Sequence, residues 1–243
     1  MNTLAVDAGN TRIKWGLHDG TQWLQCSGVA TAEVQRLADV LAAARPPARA
    51  VIANVAGERV TEVLTRVLAE SVSQIVWVEG RAEQCGVRSS YADPAQLGPD
   101  RWAALIGARH LYAGPCVVAN AGTTLTVDAL SGDSIFLGGL IVPGFAMMRE
   151  MLASRTARLG MPEGAFSFFP DNTGDAIASG ALNALAGAIE RMCRYMVQSG
   201  EDEPVVVLSG GNAALLQPRL TPPPQIVEHL VLEGLVRIGA AHV

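Results

Sequence analysis

Two short segments of this 243-residue chain repeat each other at a separation close to half its length. Val6-Asp7-Ala8-Gly9-Asn10-Thr11 is echoed by Ala119-Asn120-Ala121-Gly122-Thr123-Thr124, which sets position 7 on position 120, an offset of 113. The same offset carries the turn pair Asp19-Gly20 onto Gly132-Asp133. Between those points both copies read as strands, Arg12–His18 in the first and Leu125–Ser131 in the second. Each turn pair is a two-residue hairpin signal followed by further strand-like residues. One short match at this offset could be chance. Two features in one register predict a duplicated β-hairpin unit.

Helical and strand periodicity alternate after each hairpin. In the first half, helices are expected over Thr31–Ala44, stopped by Pro46-Pro47, over Glu58–Ala69 and over Pro99–Leu111, with strands at Ala50–Asn54 and Gln74–Val78. Pro99 takes the first-turn position that tolerates proline. In the second half, helices are expected near Pro143–Arg158, Gly174–Val197, Asn212–Leu216 and Leu230–Ala240. A buried strand, Val205–Leu208, runs into Ser209-Gly210-Gly211. The chain therefore reads as a two-lobed α/β protein, residues 1–112 and 113–243, joined near Tyr112–Pro115, with ligands in the cleft between lobes.

Lobes of this kind need cores, and 49% hydrophobic against 17% charged residues supplies them, which excludes intrinsic disorder. Eighteen basic and 23 acidic side chains give a net charge of −5 with no Lys/Arg run, so no nucleic acid and no membrane surface is an expected partner. Phosphate stays open as a ligand, because backbone N–H groups bind it without a basic side chain. The first residues lack a basic stretch and carry Asp7 inside the first apolar run, which argues against a signal peptide. The most apolar run, Gly138–Met148, contains Pro143 and falls short of the roughly 20 residues that span a bilayer. A cytoplasmic protein is expected. Cys26, Cys85, Cys116 and Cys193 form no CxxC pair and read as small buried thiols in a reducing compartment. His18, His110, His229 and His242 show no ligand spacing, which excludes a zinc enzyme.

Four motifs could carry chemistry. In Asp7-Ala8-Gly9-Asn10-Thr11-Arg12-Ile13-Lys14 an Asp closes a buried strand before a glycine-containing turn. That arrangement suits a Mg²⁺-bound nucleotide, the turn holding phosphate oxygens and the carboxylate orienting the metal or its waters. An ordinary Asx-type turn reads the same residues. Gly122-Thr123-Thr124 supplies a second such turn, and two facing hairpins can grip a polyphosphate from both sides. Neither the Walker lysine motif nor the spaced-glycine dinucleotide fingerprint occurs. Gly98-Pro99-Asp100-Arg101 opens a helix. There Asp100 either complements the helix dipole or serves as a base for a hydroxyl, beside an Arg able to hold a carboxylate ligand. Ser209-Gly210-Gly211-Asn212-Ala213 either admits a flat ring or phosphate closely or is a plain strand-to-helix turn. Asn172-Thr173-Gly174-Asp175-Ala176 reads equally as a helix start, capped by Asn172 or Thr173.

In this order the pieces resemble the type III pantothenate kinases of the acetate kinase, sugar kinase, Hsp70 and actin superfamily, whose relatives include Bvg accessory factor-like proteins. The matching segments are DAGNTRIK at 7–14, YADPAQLGPDRWAA at 91–104, NAGTTLTVD at 120–128, GGLIVPG at 138–144, NTGDAIASG at 172–180 and SGGNA at 209–213. The resemblance implies duplicated ribonuclease H-like, actin-like ATPase lobes with an interlobe nucleotide cleft. It also implies ATP-dependent phosphorylation of the terminal hydroxyl of pantothenate, the first step of coenzyme A synthesis. Mg²⁺, K⁺ or NH₄⁺, and a homodimer come with it. Carried over by position, Asp7, Ala8, Gly9, Asn10, Thr11, Arg12, Ile13 and Lys14 resemble the ATP phosphate loop, with Asp7 on Mg²⁺ directly or through water. Thr123, Gly210 and Gly211 resemble further nucleotide contacts. Asp100 matches the family's proton acceptor, and Tyr91, Gly98, Pro99, Asp100, Arg101 and Thr173 its pantothenate contacts.

One position departs from the family pattern. The second copy there begins with an Asp that binds the monovalent cation, and this chain has Asn120. An amide oxygen coordinates K⁺ without charge, so weaker cation binding and a lower dependence on K⁺ are expected. Asp7, Asp100 and Asp128 remain for catalysis. Two other readings compete. A kinase of the superfamily for a sugar or small acid is disfavoured by the short chain and by Tyr91, Asp100-Arg101 and Thr173. A non-catalytic regulator on the same fold, like the relatives described as accessory factors for virulence-gene transcription, finds no basic stripe for DNA.

Overall fold

A computed structural model describes residues 2–39, 47–69, 71–156 and 162–241. The chain divides into two compact units, Met1–Tyr112 with His229–Val243, and Ala113–Glu228. In the first unit, β1 (Thr3–Ala8), β2 (Arg12–His18), β3 (Trp23–Ala30), β4 (Arg49–Asn54) and β5 (Gln74–Trp77) form a sheet in the order β3-β2-β1-β4-β5. β2 lies antiparallel to both β1 and β3, while β1, β4 and β5 run parallel. Parallel strands buried on both faces read as near-continuous apolar runs. Leu4, Val6, Ala8, Ile13, Ile52 and Leu64 accordingly share one core.

The second unit repeats that plan. β8 (Cys116–Ala121), β9 (Thr124–Leu130), β10 (Ile135–Pro143), β11 (Val205–Ser209) and β12 (Gln225–Ile226) follow the order β10-β9-β8-β11-β12. The senses match strand for strand. Its core gathers Val117, Leu125, Val127, Leu185, Ile189 and Leu208.

The duplication is real, but its offset is not constant. β1 maps onto β8 at 113 residues and β2 onto β9 at 112, because Gly9, Asn10 and Thr11 join the first pair and only Gly122 and Thr123 the second. Gly20 therefore matches Gly132, and Asp19 matches Ser131. Nor are the hairpin turns two residues long: positions 19–22 and 131–134 separate the strands. Side-chain acceptors stabilise these longer loops. Asp19 Oδ1 accepts from the N–H of Thr21 at 2.8 Å and of Gln22 at 2.9 Å, and Ser131 Oγ from that of Ile135 at 3.0 Å.

Most helices fall where periodicity places them: α1 (Glu58–Leu68), α2 (Pro99–Leu111), α3 (Phe145–Arg155), α4 (Thr173–Gln198), α5 (Ala213–Leu216) and α6 (Leu230–Ala240). In α4 the inward residues Ala178, Leu182, Leu185, Ile189, Met192 and Met196 recur every three or four positions, so one stripe faces the sheet. Three expectations change. The stretch from Thr31 opens as a 3₁₀ helix, Thr31–Arg36, and its expected end at Ala44 lies outside the described residues. Pro143 closes β10 instead of starting a helix, and α3 begins two residues later; the expected end at Arg158 also lies outside them. α6, expected in the second lobe, belongs to the first unit. It packs on α2 with almost no spacing, since a Cβ added at Gly234 would overlap the carbonyl of Ala103.

A short hairpin without a periodic sequence signal lies between β5 and α2: β6 (Glu83–Gln84) and β7 (Val87–Ser89), turning at Cys85 and Gly86 with φ of +52° and +79°. Only Cys116 is buried; Cys26 on the edge strand β3, Cys85 in the β6–β7 turn and Cys193 on α4 are half-buried. His242 lies outside the described residues.

Candidate functional site

The first glycine turn caps the sheet of the first unit. β1 ends at Ala8 and β2 begins at Arg12, and the Gly9 N–H bonds back to the Arg12 carbonyl at 3.1 Å. Ala8 and Ile13 are fully buried, so their side chains serve the core and only their backbone is available to a ligand. Asn10, Thr11 and Arg12 are exposed. The loop carbonyls are held from behind: Val55 N–H donates to Ala8 at 3.0 Å, Thr31 Oγ1 to Gly9 at 2.7 Å and Thr31 N–H to Thr11 at 3.1 Å.

A like construction caps the second unit's sheet. Gly122 N–H bonds to the Thr124 carbonyl at 2.9 Å, leaving Thr123 exposed at the tip. Asn212 N–H donates to Ala121 at 2.9 Å, Asn212 Nδ2 to Gly122 at 3.1 Å and Gly144 N–H to Thr123 at 3.0 Å. The turn after β11 comes this close because Gly210 adopts φ +99° and has no Cβ; one would overlap Ala121. Gly210 thus lies directly against Ala121, at the start of the loop that carries Thr123, while a Cβ at Gly211 would meet open space. Asn120, at the end of β8, is half-buried and brings a neutral oxygen.

Asp7 and Asp100 are the electrostatic centre of the first unit. Asp7 keeps a partly exposed edge, yet dense packing around its carboxyl pushes the pKa up to about 7. The Asp100 charge adds to that rise and the Lys14 ammonium opposes it. Burial also raises Asp100, against N–H donors of Asp100 and Arg101 and the Arg101 charge. Two carboxyls that resist ionising together form an environment suited to a cation such as Mg²⁺. α2 positions Asp100 and the buried Arg101 in its first turn, with Gly98 before it and Pro99 as its first residue. Tyr91 is half-buried, its N–H on Ser89 Oγ at 3.3 Å.

In the second unit Asn172, rather than Thr173, caps α4: its Oδ1 accepts from the Asp175 N–H at 2.9 Å. Thr173 is left exposed at the mouth of an 820 Å³ cavity that Met148, Met151, Leu152 and Ile177 make largely apolar. Among the described residues no helix is long and apolar enough to cross a membrane.

A family model described as type III pantothenate kinase matches residues 3–195. The chain belongs to the type III pantothenate kinase family. A type III pantothenate kinase from Nitrosospira multiformis is 46% identical over 236 residues, 97% of this chain and 90% of that one. A solved structure described as a Baf family transcriptional activator from Campylobacter jejuni superposes with a TM-score of 0.63 at 21% identity over 98% of each chain. Another, described as a 2-dehydro-3-deoxygalactonokinase from Sinorhizobium meliloti, gives 0.59 at 18% identity over 99% of each chain. At such identities the likeness is one of fold: two duplicated ribonuclease H-like lobes, as in actin-like kinases. The matched residues 3–195 include both glycine turns and the start of α2. Thr31 and the Asn212 side chain were given no role by motif reading. Equivalence with the opposite turn is the signal that finds them.

Proposed function

We propose that this protein transfers the γ-phosphoryl group of ATP to the terminal hydroxyl of pantothenate, giving 4'-phosphopantothenate at the first step of coenzyme A synthesis. The observation that carries the reading is the pairing of Asp100 and Arg101 in the first turn of α2. Asp100 has its pKa raised toward the working range of a base, and a buried guanidinium sits next in the chain. Phosphoryl transfer needs positioning and charge neutralisation more than covalent help. Asp100 accepts the hydroxyl proton as the oxygen attacks. Arg101, Tyr91, Gly98, Pro99 and Thr173 position the acceptor, and Arg101 suits a carboxylate. The turn at 7–14 and Thr123 take the phosphates, with Gly210 and Gly211 beside the adenosine. Mg²⁺, held at Asp7, supplies charge neutralisation on the phosphate oxygens when bound.

The residue at 120 does not fit a charge-dependent monovalent-cation site, since Asn120 brings no negative charge. Activity should persist without K⁺ or NH₄⁺. A second copy of the chain covers exposed apolar residues of the second unit, Ile141 at 64%, Met151 at 53%, Phe168 at 86% and Phe169 at 92%. The enzyme works in the cytoplasm, where its nucleotide is made and used. Mass spectrometry of a reaction containing Mg-ATP and pantothenate tests the activity. A product heavier than pantothenate by one phosphoryl group is expected; ATP consumption with no such product would overturn the reading.

A further inference from the structure

In both units the glycine following the first strand of the sheet has its carbonyl gripped by one side chain from a distant element. Gly9 follows β1 and Gly122 follows β8. Thr31 Oγ1 reaches the Gly9 carbonyl at 2.7 Å, and Asn212 Nδ2 reaches that of Gly122 at 3.1 Å. The surrounding backbone bonds are matched as well. Thr31 and Gly144, the residues just past β3 and β10, donate N–H to Thr11 and Thr123 at 3.1 and 3.0 Å. Val55, just past β4, and Asn212, three residues past β11, donate to Ala8 and Ala121 at 3.0 and 2.9 Å. Only the side-chain donor differs, a hydroxyl from the β3 side in one unit and an amide from the β11 side in the other.

A peptide group is planar and trans, so fixing a carbonyl on one side fixes the next residue's N–H on the opposite side. Holding Gly9 O inward turns the Asn10 N–H outward. Holding Gly122 O inward does the same for Thr123. Anion-binding turns depend on this orientation, because an outward carbonyl would set partial negative charge against a phosphate oxygen.

We infer that Thr31 and Asn212 are matched positioning residues, each holding a loop glycine's carbonyl away from the nucleotide phosphates so that the following N–H faces them. The inference rests on the reading of both turns as nucleotide contacts. Thr31→Val removes the hydroxyl at constant shape and Thr31→Ser restores it; Asn212→Leu removes the amide donor at similar shape and adds no charge. Calorimetry with Mg-ADP and with adenosine, steady-state kinetics and melting temperatures form the test. Thr31→Val and Asn212→Leu should each weaken Mg-ADP by about 3- to 10-fold, the range of one hydrogen bond. KM for ATP should rise in parallel and KM for pantothenate stay within about 2-fold, an expectation from the same single bond. Adenosine, which has no phosphate, should bind Thr31→Val as it binds the wild type, and Thr31→Ser should recover Mg-ADP affinity. Equal weakening of Mg-ADP and adenosine, or unchanged Mg-ADP affinity, would overturn the inference alone. Wild-type protein that binds no Mg-ADP would overturn the nucleotide reading with it. Should Thr31→Val not fold, Asn212→Leu, titrated with Mg-ADP and adenosine alike, decides the same question.

Discussion

The Asp100 carboxylate raises the pKa of Asp7, adding to a burial that brings the Asp7 carboxyl to about 7. The folded protein therefore holds the Asp7 proton more tightly than the unfolded chain, whose carboxyl titrates near 3.8. Stability linked to that proton is complete below pH 4 and is lost as pH rises through about 7. Asp7→Asn should accordingly raise the melting temperature of the nucleotide-free protein at pH 8 by on the order of 5 °C. At pH 4 it should change little. Turnover of ATP should fall in the same variant by about 100-fold or more, the weight of one preorganised charge contact. Calorimetric scans at both pH values check the first half, and ADP release the second.

Gly234 and Ala103 hold α6 against α2, the helix that carries Asp100. A methyl group at position 234 meets the Ala103 carbonyl, which is backbone and cannot move aside cheaply. Gly234→Ala should destabilise by about 1–3 kcal/mol, the usual cost of overpacking. A urea titration showing a lower midpoint at unchanged slope is the expected result.

Local signals placed Pro99–Leu111 and Leu230–Ala240 at the bounds observed, because proline, apolar spacing and flanking turns are written in consecutive residues. The matched turns were legible for the same reason. What escaped depends on distant partners: the assignment of α6 to the first unit is decided by contacts across more than 100 residues, between Gly234 and Ala103. Thr31 and Asn212 escaped likewise, since each acts on a glycine far along the chain. The hairpin at 83–89 was missed because its strands are two and three residues long, too short for periodicity.

The turn of that hairpin is strained at Cys85, whose φ of +52° lies in the left-handed region. Such turns favour Asn or Gly. Cys85→Asn should stabilise the protein by about 0.5 kcal/mol, the scale of removing a local backbone mismatch. Thermal melts of the two proteins side by side provide the check.

Charge at position 120 should govern the response to monovalent cations. The wild-type protein is expected to turn over at similar rates in Na⁺ and K⁺ buffers. Asn120→Asp supplies a carboxylate beside the second glycine turn and should create K⁺ stimulation of several-fold, as a charged ligand binds cations more strongly than an amide. Rate against K⁺ concentration in both proteins tests it.

Pantothenate-stimulated release of ADP from Mg-ATP, measured for wild type and Asp100→Asn together, bears most directly on the central claim. Pantothenate should accelerate wild-type release well above the basal rate. Asp100→Asn should lower kcat by about 10²- to 10⁴-fold, the contribution of a general base, with KM for ATP little changed. Release that pantothenate does not stimulate, or that proceeds equally in both proteins, would contradict the account.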